Sequence, residues 1–240
     1  MTGKKLRMFA GPNGSGKSTL IAQIGSQYNL GYTINADLVK QLLDTQTFFD
    51  CRQFYPHTLS QADWDTFLHN HKRDERNFES LKNKLTIKNN VFVCKKEINS
   101  YEASFVATFF RTKLLRTKHT FSFETVMSHD SKVQFLKEAK SAGFKTYLYF
   151  ICTQDPEINK QRVLNRVQKG GHNVDPKKIE NRYFRSLGLL FEAFQAVDRA
   201  FVLDSTNQNR TVILEKQSNN IIFHEQKYPE WIAIYLLDKL

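Results

Sequence analysis

Apolar residues recur along the chain in two periods, one that fits strands and one that fits helices. Leu6-Arg7-Met8-Phe9-Ala10 is a short apolar segment that predicts a buried first strand, and Leu20, Ile21 and Ile24 carry a helical period into Tyr28. The run from Gly31 to Asp37 has β character and ends in two polar side chains that flank an alanine. Asn99-Ser100 opens a helix in which Tyr101, Phe105, Val106, Phe109, Phe110 and Leu114 recur at helical spacing, ending near His119. Thr120 to Thr125 alternates apolar with polar positions, as a strand does. Ser128 or Asp130 is expected to cap the helix after it, whose stripe is Val133, Phe135, Leu136 and Ala139 and whose stop is Gly143. Tyr147 to Cys152 is the most apolar run in the chain, which predicts a central parallel strand.

Two further helices begin alike, since Asp155-Pro156 and Asp175-Pro176 each supply an N-cap and a proline at the first helical position. Val163, Leu164 and Val167 form the apolar stripe of the first, with Arg162 and Arg166 one turn apart on another face; Arg182 and Arg185 are neighbours on the second. Arg199 to Asp204 reads as the last core strand, Val212 to Leu214 and Ile221 to Phe223 as a small hairpin, and Pro229-Glu230-Trp231 as the start of a C-terminal helix carrying Ile232, Ile234, Leu236 and Leu237. Residues 44–98 are less regular. There Phe48, Phe49, Phe54, Trp64, Phe67 and Phe78 stand among many charges, and the spacings of Trp64, Phe67, Leu68 and His71, and of Phe78, Leu81 and Leu85, predict two helices of an inserted helical lobe. The expected architecture is an α/β fold: a single domain over 1–240, three layers around a central parallel sheet, with the 44–98 lobe inserted in it.

Composition narrows the class. Apolar residues make up 40% and charged residues 25%, as in a globular protein, and 20 Phe with 9 Tyr give an unusually aromatic interior. No run approaches the length of a membrane span, and Met1-Thr2-Gly3-Lys4-Lys5 lacks the apolar stretch of a signal peptide, so a cytoplasmic protein without a membrane partner is expected. Cys51, Cys94 and Cys152 lie far apart without a histidine at metal spacing, which favours reduced thiols over disulfides or zinc. His57, His69 and His71 have no carboxylate to complete a metal set. A net charge of +11 fits polyanionic partners from nucleotides to RNA, but the basic residues are scattered, and a solvated surface explains them better than a dedicated nucleic-acid patch.

The chemistry concentrates at Gly11-Pro12-Asn13-Gly14-Ser15-Gly16-Lys17-Ser18-Thr19, which reads G-x-x-x-x-G-K-[ST] between a predicted strand and a predicted helix. Such a loop turns tightly on its glycines and aims backbone N–H groups at a phosphate, helped by the positive end of the helix that follows. Lys17 then reaches the β- and γ-phosphates, and the Ser18 hydroxyl ligates Mg²⁺. Because ligands gather at the carboxyl ends of parallel strands, Asn35 and Asp37 are expected beside this loop. Asp37 is either a carboxylate for the reacting phosphate or the cap of a helix beginning at Leu38, and the two roles are compatible. Glu124 and Thr125 end the next strand in the same manner. Between the two arginine-bearing helices lies Lys169-Gly170-Gly171-His172-Asn173, and arginines on either side of a glycine hinge suit a lid that closes over a transferring phosphoryl group.

These residues together resemble the zeta toxin family of P-loop kinases, especially its stand-alone bacterial branch, often described as predicted ATPases. The resemblance runs through Ala10 to Leu20, Asn35-Ala36-Asp37-Leu38, Phe121 to Ser128, Tyr147 to Arg166, Gly170-Gly171-His172 with Arg182-Tyr183-Phe184-Arg185-Ser186, and Asp198 to Ser205. It implies a kinase that uses ATP or GTP with Mg²⁺ to phosphorylate a hydroxyl of a small acceptor, UDP-N-acetylglucosamine in the best-known members, and an antitoxin partner that blocks the nucleotide site. Carried over, Lys17 and Ser18 hold phosphates and magnesium, Asp37 accepts the acceptor's proton, and Arg162 with Arg166 steadies the transferring group. Asn35, Glu124, Thr125, His172 and Arg182 are then expected on the acceptor side. The lid spacing and the 44–98 segment depart from the toxin prototypes. The alternative is a polynucleotide-directed kinase or a nucleotide-gated nucleic-acid-binding ATPase.

Overall fold

Alternating strand and helix periods fold into two units, Met1–Leu30 with Ser122–Leu240, and Gly31–Phe121. The computed structural model describes residues 3–71, 75–171, 173–207 and 209–240, with the backbone alone for 75–79. The first unit opens with β1 (Lys5–Ala10) and α1 (Lys17–Gly25). The second contains β2 (Tyr32–Ile34), α2 (Ala36–Gln46), β3 (Phe48–Asp50), α3 (Gln61–Asn70), α4 (Glu75–Lys84), β4 (Leu85–Lys88), β5 (Val91–Cys94) and α5 (Ser100–Leu115). The chain continues with β6 (Phe121–Thr125), α6 (Ser131–Ser141), β7 (Lys145–Cys152), α7 (Pro156–Gln168), α8 (Pro176–Gly188), α9 (Leu190–Ala196), β8 (Arg199–Asp204), β9 (Thr211–Gln217), β10 (Asn220–Phe223) and α10 (Glu230–Tyr235). No helix among the described residues is long and apolar enough to cross a membrane.

In the first unit the strands lie in the order β10-β9-β8-β7-β1-β6. β7 pairs in parallel with β1 on one side and β8 on the other. Every β7 residue from Thr146 to Cys152 is buried, which is why this strand reads as an unbroken apolar run. On one face Phe9, Tyr149 and Phe201 stack in a ladder with centroids 4.8 and 4.9 Å apart, and Leu20 of α1 joins the cluster. On the other face Phe150 meets Trp231 of α10 at 6.0 Å. The expected hairpin exists, but it belongs to the sheet: β9 runs antiparallel to β8 and β10 antiparallel to β9, so β8 is not the edge. Only a short loop separates β8 from β9, too little chain for a crossover helix, and antiparallel pairing follows.

The helix ends obey their sequence signals. Asp155 and Asp175 cap α7 and α8, and Asn99 with Glu102 forms a capping box on α5. Gly143 adopts φ 81° just beyond α6. At the start of α6 Asp130 occupies the cap position without a side-chain bond to the helix amides, and His129 Nδ1 accepts from the Ser131 amide at 3.2 Å instead. Leu164, expected in the buried stripe of α7, is 51% exposed; Asn159 and Val163 carry the buried side.

The second unit corrects the expectation of a helical lobe over 44–98. α3 and α4 are helices, but β4 and β5 form a hairpin around Asn89 and Asn90, both left-handed at φ 49° and 64°, and β3 adds to β5 in the order β3-β5-β4. Leu85-Thr86-Ile87-Lys88 alternates with period two and Val91-Phe92-Val93-Cys94 is a β-branched and aromatic run, the two flanking a two-residue turn, a stronger local signal than the helical spacing that enlisted Leu85. The compact unit also reaches beyond 44–98 to include α2 and α5, because α5 supplies Phe105, Phe109 and Phe110 to the aromatic core and α2, with Val39 and Leu43 buried, packs on α5. Phe49, Phe54, Trp64, Phe92, Phe109 and Phe110 are fully buried, with Trp64 to Phe109 and Phe54 to Phe110 each 5.2 Å between centroids. At about 1.5–3 kcal/mol for each large apolar side chain removed from water, this cluster stabilises the unit strongly.

Candidate active site

The loop between β1 and α1 turns on glycines at positive φ. A Cβ on Gly11 would stand 2.0 Å from the Ile151 carbonyl oxygen, and Gly16, at φ 89°, occupies the N-cap of α1 with no side chain bonding the helix amides. α1 therefore starts without a side-chain cap, as helix N-termini that receive anions do. Lys17 is 6% exposed and curls onto the loop, its Nζ donating to Gly11 O at 2.9 Å and Pro12 O at 2.8 Å. Ser15 Oγ and Asn13 Oδ1 are buried without a hydrogen-bond partner, a state that costs about 1–3 kcal/mol per group. A phosphate oxygen would accept from the Ser15 hydroxyl and relieve that cost. Thr19 is exposed on the outer side of α1.

Glu124, at the carboxyl end of β6, comes onto this loop. Its carboxylate accepts from Ser18 Oγ at 3.1 Å and lies 3.9 Å from Lys17 Nζ. A hydroxyl and a carboxylate side by side are the hard oxygen donors that Mg²⁺ prefers, and they fit a metal shared with bound phosphates. No group of three or more His, Cys, Asp or Glu that could hold a metal by itself occurs among the described residues. Thr125, next along β6, accepts from the Met127 amide at 3.1 Å.

Helix α7 supplies the cationic wall. Arg162 reaches Ser205 Oγ at 3.5 Å, Thr206 O at 3.2 Å and Asn207 O at 3.4 Å. Ser205 in turn donates to Ser15 O of the phosphate loop at 2.8 Å. Arg162, Asn165, Arg166, Lys169 and Gly171 line a cavity of about 340 Å³. Three positive side chains around one cavity favour a polyanionic occupant. Lys160 bonds Glu157 at 2.5 Å and Glu180 of α8 at 2.7 Å, tying the two arginine helices together. The α7 half of the expected lid is thus anchored to the body of its unit.

The remaining sequence candidates are placed as follows. Asn35 caps α2, accepting from the Asp37 amide at 2.8 Å and the Leu38 amide at 3.4 Å, so the capping role considered for Asp37 belongs to Asn35 and the helix starts at Ala36. Asp37 is exposed in the first turn of α2, within the second unit. Arg182 is half-buried on α8, and His172 lies outside the described residues. Two residues of the site escaped the sequence reading. Ser205 follows the carboxyl end of β8, the position where ligands of parallel sheets gather, and Asn159 sits one turn ahead of Arg162.

No family model matches the chain. An uncharacterized protein of Haemophilus influenzae is 36% identical over 63 residues, 26% of this chain and 45% of that protein. Among solved structures, one of the AvrRxo1-ORF1:AvrRxo1-ORF2 complex with sulphate ions aligns over 97% of this chain and 63% of its own, with a TM-score of 0.61 at 11% identity. A structure of that complex with ATP aligns with a TM-score of 0.60 at 12% identity over 92% of this chain and 61% of its own. The PezAT chromosomal toxin–antitoxin system of Streptococcus pneumoniae aligns over 99% of this chain and 80% of its own, with a TM-score of 0.56 at 13% identity. The chain spans less than two thirds of the Haemophilus and AvrRxo1 relatives. With its glycine loop between β1 and α1 and its β1-β7-β8 parallel core, the chain shares the fold of these AvrRxo1 and PezAT structures.

Proposed function

We propose that the protein is a phosphotransferase that moves the γ-phosphoryl group of ATP to a hydroxyl of a small acceptor, with a sugar nucleotide such as UDP-N-acetylglucosamine the first to try. The observation that carries this reading is the meeting of Lys17, Ser18 and Glu124 at a glycine loop whose Ser15 hydroxyl lacks a partner. Phosphoryl transfer asks a protein for positioning and charge neutralisation more than for covalent chemistry, and this set supplies both.

In the proposed reaction Lys17 leaves the loop carbonyls for the β- and γ-phosphates, and Ser18 would hold Mg²⁺ together with Glu124, whose bond to Ser18 moves it from the acceptor side expected from the sequence to the metal. The metal would neutralise charge that develops on the phosphate oxygens. Asp37 takes the proton of the acceptor hydroxyl, whose oxygen bonds to the γ-phosphorus as the bond to the β,γ-bridging oxygen breaks, releasing ADP. Arg162 and Arg166 stabilise the transferring group, and Asn35, Thr125, Arg182 and His172 are assigned to the acceptor. The PezAT and AvrRxo1 complexes support a protein partner, and an antitoxin-like protein that covers the nucleotide site is the partner proposed.

Calorimetric titration with MgATP, paired with product analysis, tests the reading. Wild type and Asp37→Asn are expected to bind MgATP alike, with turnover lost in the variant. Loss of MgATP binding in Asp37→Asn would remove the base assignment, and a wild type that binds no MgATP would remove the phosphotransferase.

A further inference from the structure

We infer that Asn159 is a positioning residue that holds the phosphate loop in its nucleotide-ready shape and couples it to the arginines of α7; this rests on the phosphotransferase reading above. Its side chain is fully buried. Nδ2 donates to Asn13 O at the apex of the loop at 2.6 Å, while Oδ1 accepts from the Thr153 hydroxyl just beyond β7. The Asn159 main chain closes on the same loop, because a Cβ on Gly14 would come within 2.6 Å of the Asn159 carbonyl oxygen.

The chemistry of the site selects an amide. A buried polar group is retained when both its donor and its acceptor are bonded, and at this position the donor must face a carbonyl and the acceptor a hydroxyl. Aspartate would set a second acceptor against Asn13 O, and leucine would leave Asn13 O and the Thr153 hydroxyl without this partner. One turn further along α7, Arg162 reaches Ser205, whose hydroxyl donates to Ser15 O. The loop is therefore gripped from α7 at two points, Asn13 through Asn159 and Ser15 through Ser205. A nucleotide that seats its phosphates in the loop sets, through these bonds, the helix that carries Arg162 and Arg166 toward the cavity they line.

The test compares wild type with Asn159→Ala and Asn159→Asp by MgATP titration and thermal unfolding, with Ser186→Ala, a buried hydroxyl on α8, as the control. The dissociation constant of the folded protein is expected to rise at least fivefold in Asn159→Ala and tenfold in Asn159→Asp, and to stay within twofold of wild type in Ser186→Ala. A merely structural role lowers the melting temperature and leaves the dissociation constant of the folded protein unchanged, which overturns the inference. Hydrogen–deuterium exchange on wild type covers the case in which the variants do not fold. MgATP is expected to slow exchange both in residues 11–18 and in residues 156–163, and slowing in the loop alone overturns the coupling. A wild type that binds no MgATP defeats the reading of the site itself, and this inference with it.

Discussion

Ser18 donates its hydroxyl to Glu124 across 3.1 Å, although 106 residues separate the two in sequence. The pair joins the start of α1 to the end of β6 and presents two oxygen ligands at the mouth of the phosphate loop. Glu124→Gln keeps the shape and removes the charge. The Mg²⁺ concentration that gives half-maximal phosphotransfer is expected to rise at least tenfold, and an unchanged magnesium dependence would take Glu124 away from the metal.

Gly31 offers a test of the second unit by itself. It adopts φ 69°, and a Cβ there would lie 1.9 Å from the Thr120 carbonyl oxygen. Gly31→Ala has no relaxed way to fit, so a stability loss of about 2 kcal/mol or more is expected, read as a lower urea midpoint. A midpoint equal to that of wild type would contradict the placement of the chain at this turn.

Acid stability is expected to depend on Glu102. Burial works to raise its carboxyl, but bonds from Ser80, the Asn99 amide and Lys84 outweigh that and hold it below the usual value. A depressed folded value contributes stability that is present above the unfolded value of about 4.3 and is lost as the pH falls through the folded one. Glu102→Gln should therefore be less stable than wild type at pH 7, with the difference shrinking below pH 4. A gap that persists to pH 2 would place the effect in packing instead of charge.

The three cysteines are free and buried, and burial pushes Cys51 up to about 12 and raises Cys94 and Cys152 as well. Thiol reactivity follows the thiolate, so a disulfide reagent at pH 8 should label the native protein only over hours, and all three thiols within minutes in denaturant. Rapid labelling of a native thiol would show that its unit opens readily.

Local signals carried the first unit. The proline-preceded caps Asp155 and Asp175, the apolar run of β7 and the phosphate loop each act through neighbouring residues, and all lie where their patterns put them. The second unit was harder to read because its order comes from contacts between residues distant in sequence: Phe49, Trp64, Phe92 and Phe109 meet only after folding. A local hint was present there in Asn89-Asn90 between an alternating run and a β-branched, aromatic one, and the helical spacing of Leu81 and Leu85 masked it. At the site, Lys17 and Ser18 were legible from a motif. Asn159 and Ser205 were not, since each is recognised by what its side chain meets, Asn13 O and Ser15 O, and no spacing encodes that.

The central claim is that the Lys17 loop carries out phosphoryl transfer. Mass spectrometry of wild type and Lys17→Ala, each mixed with MgATP and UDP-N-acetylglucosamine, tests it most directly. Wild type should form ADP and add one phosphate to the acceptor, and Lys17→Ala should form neither. ADP without phosphorylated sugar would keep the transferase and redirect the acceptor search, nucleic-acid ends first, whereas no ADP from wild type, or equal ADP from both proteins, would contradict the claim.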